Sequence, residues 1–271
     1  SASILMVHEV GGRCHYAHYL AAELASKKSL FVCNQPTHEQ SPRSIVALAT
    51  LYADAWIQTH ATGPRIIVAF CWGGPLAYEI ARQLKSRDVF VQAVLIVESG
   101  TEAAYRHACR RNRMWDRFKG LLVRARNRCG TLGSPAGVLQ LYVTLQNKLL
   151  RRGVPITADA GFQFRDDEGD PVQIRSNVQA FLEYTIQPDE IAIHLFRVRG
   201  PAGLIGTKYS DTSLGWRYVV GPKLTLHDIP GDHDTCMKPP NVSVLARSMN
   251  HVIRELESIP NSPMPRKDSL S

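Results

Sequence analysis

Three side chains that could together catalyse acyl transfer each follow a predicted buried strand: Cys71, Glu98 and His233. A thiolate can attack an acyl carbon, and an imidazole can take the thiol proton and later act as base for a second nucleophile. A carboxylate can hold the imidazole in one tautomer and stabilise its positive charge. The sequence therefore predicts a covalent acyl-transfer centre built from a Cys-His-Glu triad.

Cys71 lies in a predicted turn between a strand and a helix. The apolar run 66–68 predicts the strand, and apolar residues at helical spacing over 76–84 predict the helix. A nucleophile in such a turn, with small residues two before and two after it, is the G-x-S-x-G elbow of α/β-hydrolases, and here Ala69 and Gly73 are those residues. The helix N-terminus favours the thiolate, although a lone cysteine at this position could also be a buried structural residue.

Two backbone N–H groups are predicted to form an oxyanion hole. The first strand, 4–7, ends in the glycine turn His8-Glu9-Val10-Gly11-Gly12. In α/β-hydrolases a loop of this kind supplies one donor, and the residue after the nucleophile supplies the other. We therefore assign the donors to Val10 and Trp72, each typically worth about 3 kcal/mol toward a tetrahedral oxyanion.

The predicted elements alternate between strand and helix, which favours an α/β fold with a mostly parallel central sheet flanked by helices. Residues 101–188 break this rhythm with predicted helices at 103–127, 135–152 and 171–186, as expected of a helical lid insertion. We predict one α/β-hydrolase domain over residues 1–260 and a disordered tail over 261–271. The helix predicted at 44–59 should bury one face, formed by Ile45, Leu48, Leu51, Tyr52 and Ala55.

Composition narrows the class of protein. The 271 residues are 44% hydrophobic, enough for one sizeable core, and no apolar run approaches the roughly 20 residues of a membrane span. The six cysteines form no C-x-x-C pair, which favours a reduced, cytoplasmic protein. The start Ser1-Ala2-Ser3 suggests a piece of a longer protein, expected to be monomeric. No His or Cys partner stands at metal-ligand spacing from His227 or His233, so no metal is predicted.

The formal net charge of +8 is concentrated in the predicted lid, where nine Arg and Lys residues lie between Arg106 and Arg128. Such a segment suits an anionic partner or substrate, or it is simply the solvated face of a helix. Aromatic residues for base stacking are sparse there, so nucleic acid is disfavoured.

Taken together, these motifs resemble the type I thioesterase domain that ends nonribosomal peptide synthetases. The resemblance covers nearly the whole chain apart from the lid and tail. It rests on the stretches Leu5–Gly12, Gly63-Pro64, Cys71–Gly74 with Leu76–Leu84, Gly215-Trp216 and Gly231–His233. It implies a peptidyl thioester substrate delivered on the phosphopantetheine arm of an upstream carrier domain, with no cofactor in the domain itself. Cys71 would take the acyl group, which leaves as an acid or a ring.

Departures from the family pattern refine this expectation. Most members have serine at position 71, aspartate at 98 and proline or glycine at 9. Because Glu98 is one methylene longer than aspartate, Asp211 or Asp232 could orient the histidine instead. In having a cysteine nucleophile, the chain resembles the subset of these domains that form β-lactones and β-lactams. We therefore expect closure of a strained ring, such as the β-lactam of a monobactam, and an arginine-rich lid suits an N-sulfonated precursor.

The sequence leaves three alternatives open. The acyl-enzyme could be hydrolysed to a linear acid. Dienelactone-hydrolase-like enzymes also carry a cysteine elbow, although their helical insertion is small. A non-catalytic carrier-docking domain is the third possibility, which a complete triad disfavours.

Overall fold

The computed structural model describes residues 2–24, 29–37, 39–61, 63–106, 170–198 and 211–258. Six strands form one sheet in the order β2-β1-β3-β4-β5-β6, and every neighbouring pair is parallel. The strands are β1 (Ser3–Val7), β2 (Ser29–Cys33), β3 (Arg65–Phe70), β4 (Ala93–Val97), β5 (Ile193–Val198) and β6 (Leu224–Ile229). The carboxyl ends of all six strands therefore meet at one edge of the sheet, where parallel α/β folds place their chemistry.

Helices connect the strands and cover both faces of the sheet. They are α1 (Ala17–Leu24), α2 (Ile45–Gln58), α3 (Gly73–Lys85), α4 (Pro171–Glu183), α5 (Arg217–Val220) and α6 (Asn241–Ser258). Ser44 caps α2 by accepting from the Ala47 N–H, and Asp170 caps α4 by accepting from the Val172 N–H. Residues 102–106 are also helical.

The central strands are buried on both faces, which explains why they are continuous apolar runs rather than alternating ones. Successive residues along each strand point to opposite faces of the sheet. Ile67, Ala69 and Val94 pack against α2, α3 and α4 in one cluster, while Ile66 and Val68 pack against α1 and α6 in the other. The sheet is thus the middle layer of three, and its central strands are held from both sides.

The predicted parallel sheet with flanking helices is confirmed. The last predicted lid helix is present as α4, ending at Glu183 rather than 186. The predicted helix 135–152, most of the helix 103–127 and the predicted tail lie outside the described residues, and the boundaries of the domain stay a prediction. Within the described ranges, no helix combines the length and apolar character needed to cross a bilayer.

Candidate active site

The sheet register brings the predicted nucleophile and acid to neighbouring strand ends. Phe70 of β3 pairs with Val97 of β4, so Cys71 and Glu98 are the next residues of the two adjacent strands. The Cys71 N–H continues the ladder by donating to the Val97 carbonyl over 3.1 Å. Parallel pairing of β3 and β4 therefore brings Cys71 and Glu98 side by side, although they are distant in sequence.

The turn at Cys71 has the strained geometry of a nucleophile elbow. Cys71 has φ 54°, in the left-handed region that costs non-glycine residues free energy. The helix that follows passes so close to the end of β1 that a Cβ at Gly73 would lie 2.8 Å from the His8 carbonyl oxygen. A Cβ at Gly74 would collide with the Ser99 hydroxyl. The two glycines thus allow the crossing that turns the thiol out at the sheet edge.

His233 is positioned by a tight turn that follows β6. The Asp232 carboxylate accepts hydrogen bonds from the Asp234 and Thr235 N–H groups, and the Cys236 N–H donates to the Asp232 carbonyl. The imidazole of His233 stacks on Phe70, with ring centroids 5.0 Å apart and planes 27° apart. Phe70, which the sequence analysis did not single out, thereby fixes the plane of the ring.

The three predicted catalytic side chains lie together, with unequal contacts. His233 Nε2 lies 3.3 Å from Cys71 Sγ, within hydrogen-bonding distance for sulfur. On the other side of the ring, Nδ1 lies 3.8 Å from Glu98 Oε2, an ion-pair distance that is too long for a hydrogen bond. Among the described residues, Nδ1 has no hydrogen-bond partner. The other Glu98 oxygen, Oε1, is occupied by the Val198 N–H at 2.7 Å.

The electrostatics of His233 favour its protonated form. Partial burial on its own would lower the pKa of His233, but the adjacent Cys71 sulfur, in its thiolate form, and the Glu98 carboxylate outweigh it and raise this pKa well above its ordinary value. A proton can then reside on the imidazole while the sulfur carries the negative charge. The arrangement is suited to a thiolate–imidazolium pair, which is the nucleophilic form of a Cys-His site.

The two alternative triad acids, Asp211 and Asp232, each use their carboxylates to hydrogen-bond within their own turns. Asp211 accepts hydrogen bonds from Ser213 and from the Gly215 N–H, and these bonds outweigh its partial burial and lower its pKa. Asp232 is held by Thr235 and Asp234, as described above, and hydrogen bonding to Thr235 lowers its pKa. Neither carboxylate hydrogen-bonds to His233, whereas Glu98 faces its Nδ1 atom.

The loop after β1 is held by a buried histidine that the sequence analysis left unassigned. His8 is fully buried, and its Nδ1 lies 2.6 Å from the Glu9 carbonyl oxygen, so Nδ1 must carry the donated proton. Burial lowers the pKa of His8 to about 4, against the raising effect of this bond, so the ring is neutral near pH 7. In a planar trans peptide the C=O and N–H point in opposite directions. By fixing the Glu9 carbonyl, His8 therefore sets the direction of the Val10 N–H.

Trp72, the other predicted oxyanion donor, packs against this loop. Its indole stacks on the His8 ring, with centroids 5.6 Å apart and planes 17° apart. Its backbone stands at the N-cap of α3, where helix N–H groups have no partner within the helix. The two predicted donors therefore come from neighbouring loops at the same sheet edge as Cys71.

In the part of the chain that the structure describes, no group of three His, Cys, Asp or Glu side chains is placed to bind a metal ion. Three cysteines there are free and distinct from the elbow: Cys14, Cys33 and Cys236. Burial raises the pKa of the Cys14 and Cys33 thiols to about 12 and that of Cys236 further. These thiols are therefore protonated at neutral pH and inert as nucleophiles.

A family model of the thioesterase domain matches residues 2–127, a region that runs from β1 past β4 and includes Cys71 and Glu98. The search of curated proteins gave no match.

Solved structures similar to the chain include the thioesterase domain of NocB, in covalent complex with a fluorophosphonate nocardicin G analogue. It has a TM-score of 0.62 and 20% identity over 93% of this chain and 95% of that one. The RedJ thioesterase of the prodiginine pathway in Streptomyces coelicolor has a TM-score of 0.58 and 16% identity, over 92% of this chain and 85% of that one.

A four-domain nonribosomal peptide synthetase, AB3403, is also similar, with a TM-score of 0.62 and 20% identity over 93% of this chain. The chain spans 19% of the length of that synthetase. At these sequence identities, the structural similarity establishes the fold of the chain. The chain has the α/β-hydrolase fold found in thioesterase domains.

Proposed function

We propose that this chain is the terminal thioesterase of a nonribosomal peptide synthetase. It releases a carrier-bound peptidyl thioester through an acyl-Cys71 intermediate, and it does so by intramolecular closure of a strained β-lactam or β-lactone ring. The observation that carries the proposal is Cys71 at φ 54° with His233 Nε2 at 3.3 Å from its sulfur. The thioesterase family match over residues 2–127 and the fold shared with such domains support the reaction class.

In the first step, the Cys71 thiolate attacks the thioester carbonyl of the substrate. The resulting oxyanion is stabilised by the N–H groups of Val10 and Trp72, and the intermediate collapses with loss of the pantetheine thiolate. His233, held as imidazolium by Cys71 and Glu98, protonates that leaving group. The products are a thioester on Cys71, a free carrier thiol and a neutral imidazole.

In the second step, neutral His233 acts as base. It removes a proton from an amine, amide or hydroxyl of the bound acyl chain, which attacks the carbonyl of the Cys71 thioester. The C–S bond breaks, the ring leaves, and Cys71 regains its negative charge beside the imidazolium. Water in the place of the internal nucleophile would give a linear acid instead.

The cysteine nucleophile supports ring closure over hydrolysis. A thioester keeps more of the acyl-transfer free energy than an oxoester does, because sulfur conjugates weakly with the carbonyl. An acyl-Cys71 intermediate can therefore drive formation of a strained ring that an acyl-serine would make uphill. The similar NocB domain forms a covalent complex with a nocardicin G analogue, and the similar Vlm2 domain has been solved with a dodecadepsipeptide.

The substrate is proposed to arrive on the phosphopantetheine of an upstream carrier domain and to be anionic, because of the basic residues between Arg106 and Arg128. Arg106, the first of them, has a structural contact: its guanidinium donates to the carbonyls of Leu182 and Tyr184 at the end of α4. We therefore assign the attraction for an anionic peptide to the basic residues beyond it in the sequence. No cofactor takes part in either step.

Release from the carrier tests the proposal. The chain is incubated with a peptidyl-pantetheine thioester bearing a β-amine, hydroxyl or N-sulfonated amide, and products are followed by mass. A product one water lighter than the linear acid, absent with Cys71→Ala, supports cyclisation. A linear acid with every substrate would contradict ring closure while leaving thioesterase activity intact. A chain that binds holo-carrier domain but never forms product would instead be a docking domain.

A further inference from the structure

A cluster of buried amides lies between α4 and the two loops that carry the predicted oxyanion donors. Its members are Gln35 after β2, and Gln173 and Asn177 on α4, each at most 5% exposed. The sequence gives no sign of such a cluster, because Gln35 lies far from the two α4 residues in the chain.

Asn177 uses all of its side-chain hydrogen-bonding capacity inside this cluster. Its Nδ2 donates to the Val10 carbonyl and to Gln35 Oε1, both at 2.7 Å. Its Oδ1 accepts from Gln35 Nε2 at 3.0 Å and from Gln173 Nε2 at 3.4 Å. An amide has two donor hydrogens and two acceptor lone pairs, so the group is saturated and fixed in one orientation.

The backbone of Asn177 contacts the other loop. Its carbonyl accepts a hydrogen bond of 3.0 Å from the Trp72 indole N–H. One residue of α4 is therefore bonded to Val10 through its side chain and to Trp72 through its main chain. These are the residues whose N–H groups are predicted to hold the oxyanion from two separate loops.

From this bridge we infer that Asn177 is a positioning residue, which sets the spacing between the Val10 and Trp72 oxyanion donors. The inference rests on the proposed acyl-transfer function. Donors that converge on one oxygen must be held within about 0.5 Å to be effective. The loop of Val10 is already held by the hydrogen bond from the His8 ring to the Glu9 carbonyl. The backbone N–H of Gln35 adds a hydrogen bond of 2.8 Å to the Gly12 carbonyl of the same loop. Asn177 joins that loop to the start of α3.

Two reactions of the same sulfur separate this role from general stability. Acylation of Cys71 by a peptidyl-pantetheine thioester passes through an oxyanion, whereas alkylation by iodoacetamide does not and reports only on the thiolate. We expect Asn177→Ala to slow single-turnover acylation about 10- to 100-fold, less than the loss of a donor outright. Site-specific alkylation of Cys71, measured by peptide mass, should change less than twofold.

Tyr184→Phe serves as the matched control. Tyr184 follows the C-terminal end of α4, and its substitution removes a buried hydrogen bond of 2.7 Å from its hydroxyl to Glu79 on α3 without touching either loop. Both reactions should proceed in this variant at wild-type rates. If Asn177→Ala does not fold, Trp72→Phe keeps the ring stacked on His8 while removing the indole donor, and it should slow acylation selectively about 3- to 10-fold, a fraction of the cost of a lost donor.

Unchanged acylation in the folded Asn177→Ala variant, or equal losses in acylation and alkylation, would overturn the positioning role. Unchanged acylation in Trp72→Phe, where that variant is used in its place, would overturn it as well. Failure of the wild-type chain to be acylated by any thioester is a different result. It would refute the proposed function, and this inference with it.

Discussion

Two histidines at the same sheet edge show how neighbours reverse the effect of burial. His8 after β1 is fully buried, and its described polar contact is a carbonyl, so burial lowers its pKa to about 4. His233 after β6 is only partly buried and lies between a thiol and a carboxylate, which raise its pKa well above the ordinary range. One ring is a neutral structural donor near pH 7, and the other is positioned to carry a proton.

The difference separates the two tasks of the proposed site. His8 can aim a peptide N–H over a broad pH range because it does not change charge there. His233 can exchange a proton with substrate because Cys71 and Glu98 stabilise its charged form. Substitutions at the two histidines should therefore affect different observables.

The largest effect is expected from His233→Gln. Removing the imidazole takes away both the counter-ion of the thiolate and the proton donor for the leaving group, so single-turnover acylation should fall about 10³-fold or more. Alkylation of Cys71 by iodoacetamide near pH 7 should also slow, because the variant thiol has lost its cationic partner.

The control for this variant is His227→Gln, which alters a partly buried histidine that contacts His194 on the neighbouring strand. It should leave both rates unchanged. Equal alkylation rates in wild type and His233→Gln near neutral pH would show that no thiolate–imidazolium pair exists.

The next effect concerns stability rather than rate. The folded-state pKa of His8, about 4, lies below the ordinary 6.5, so acid favours the unfolded chain, which binds the proton more readily. Lowering the pH from 6.5 to 4 should remove about 3 kcal/mol of unfolding free energy through His8. His233 contributes little in this window, because its folded pKa is raised and the unfolded ring also becomes protonated as the pH falls below 6.5.

Urea unfolding at several pH values checks this expectation. His8→Leu should show a shallower acid loss than wild type by about 3 kcal/mol, with a residual slope from His194, whose pKa burial also lowers to about 4. The exposed His18 provides the control, and His18→Leu should follow the wild-type curve. Parallel curves for His8→Leu and wild type would refute the neutral, buried state of His8.

The smallest effect is expected from Glu98→Gln. The glutamine can still accept the Val198 N–H, while the charge 3.8 Å from His233 Nδ1 is lost without the loss of a hydrogen bond. Acylation should therefore fall by only about 10-fold, far less than removal of a hydrogen-bonded triad acid costs. Glu102→Gln is matched, since that buried carboxylate also accepts a backbone N–H, from Ile186, and its substitution should leave acylation unchanged. A loss near 10³-fold in Glu98→Gln would mean that the His233–Glu98 contact shortens during catalysis.

Local patterns sufficed for much of the fold. The β-branched runs of β3 and β4 are buried on both faces, so hydrophobicity alone predicts these strands. The small residues around Cys71 likewise predict the close crossing of strand and helix at the elbow. The buried face of α2 was predicted less well: Leu51 and Ala55, expected inward, are exposed, while Ala53 and Trp56 are buried. A helix that is apolar nearly all round offers several stripes, and packing against α3 as well as the sheet selects one.

The supporting parts of the site could not be found in this way. Phe70 under His233 and Asn177 between two loops act through long-range contacts that no spacing in the sequence encodes. His8 contacts the adjacent Glu9 carbonyl, but the complete burial that keeps its ring neutral depends on the packing of the fold around it. The weak Glu98 contact is likewise a matter of tenths of an ångström. That Cys71, Glu98 and His233 meet could be predicted, because acyl-transfer chemistry restricts the residue types; their catalytic roles stay a prediction.

The central claim is that Cys71 carries the acyl group. Its most direct test is the intact mass of the protein after rapid mixing with a peptidyl-pantetheine thioester, followed by acid quench and peptide mapping. We expect wild type to gain one acyl mass, mapped to the peptide that holds Cys71, and Cys71→Ala to gain none. Acylation of Cys71→Ala, or an adduct on any other residue of the wild type, would contradict the account.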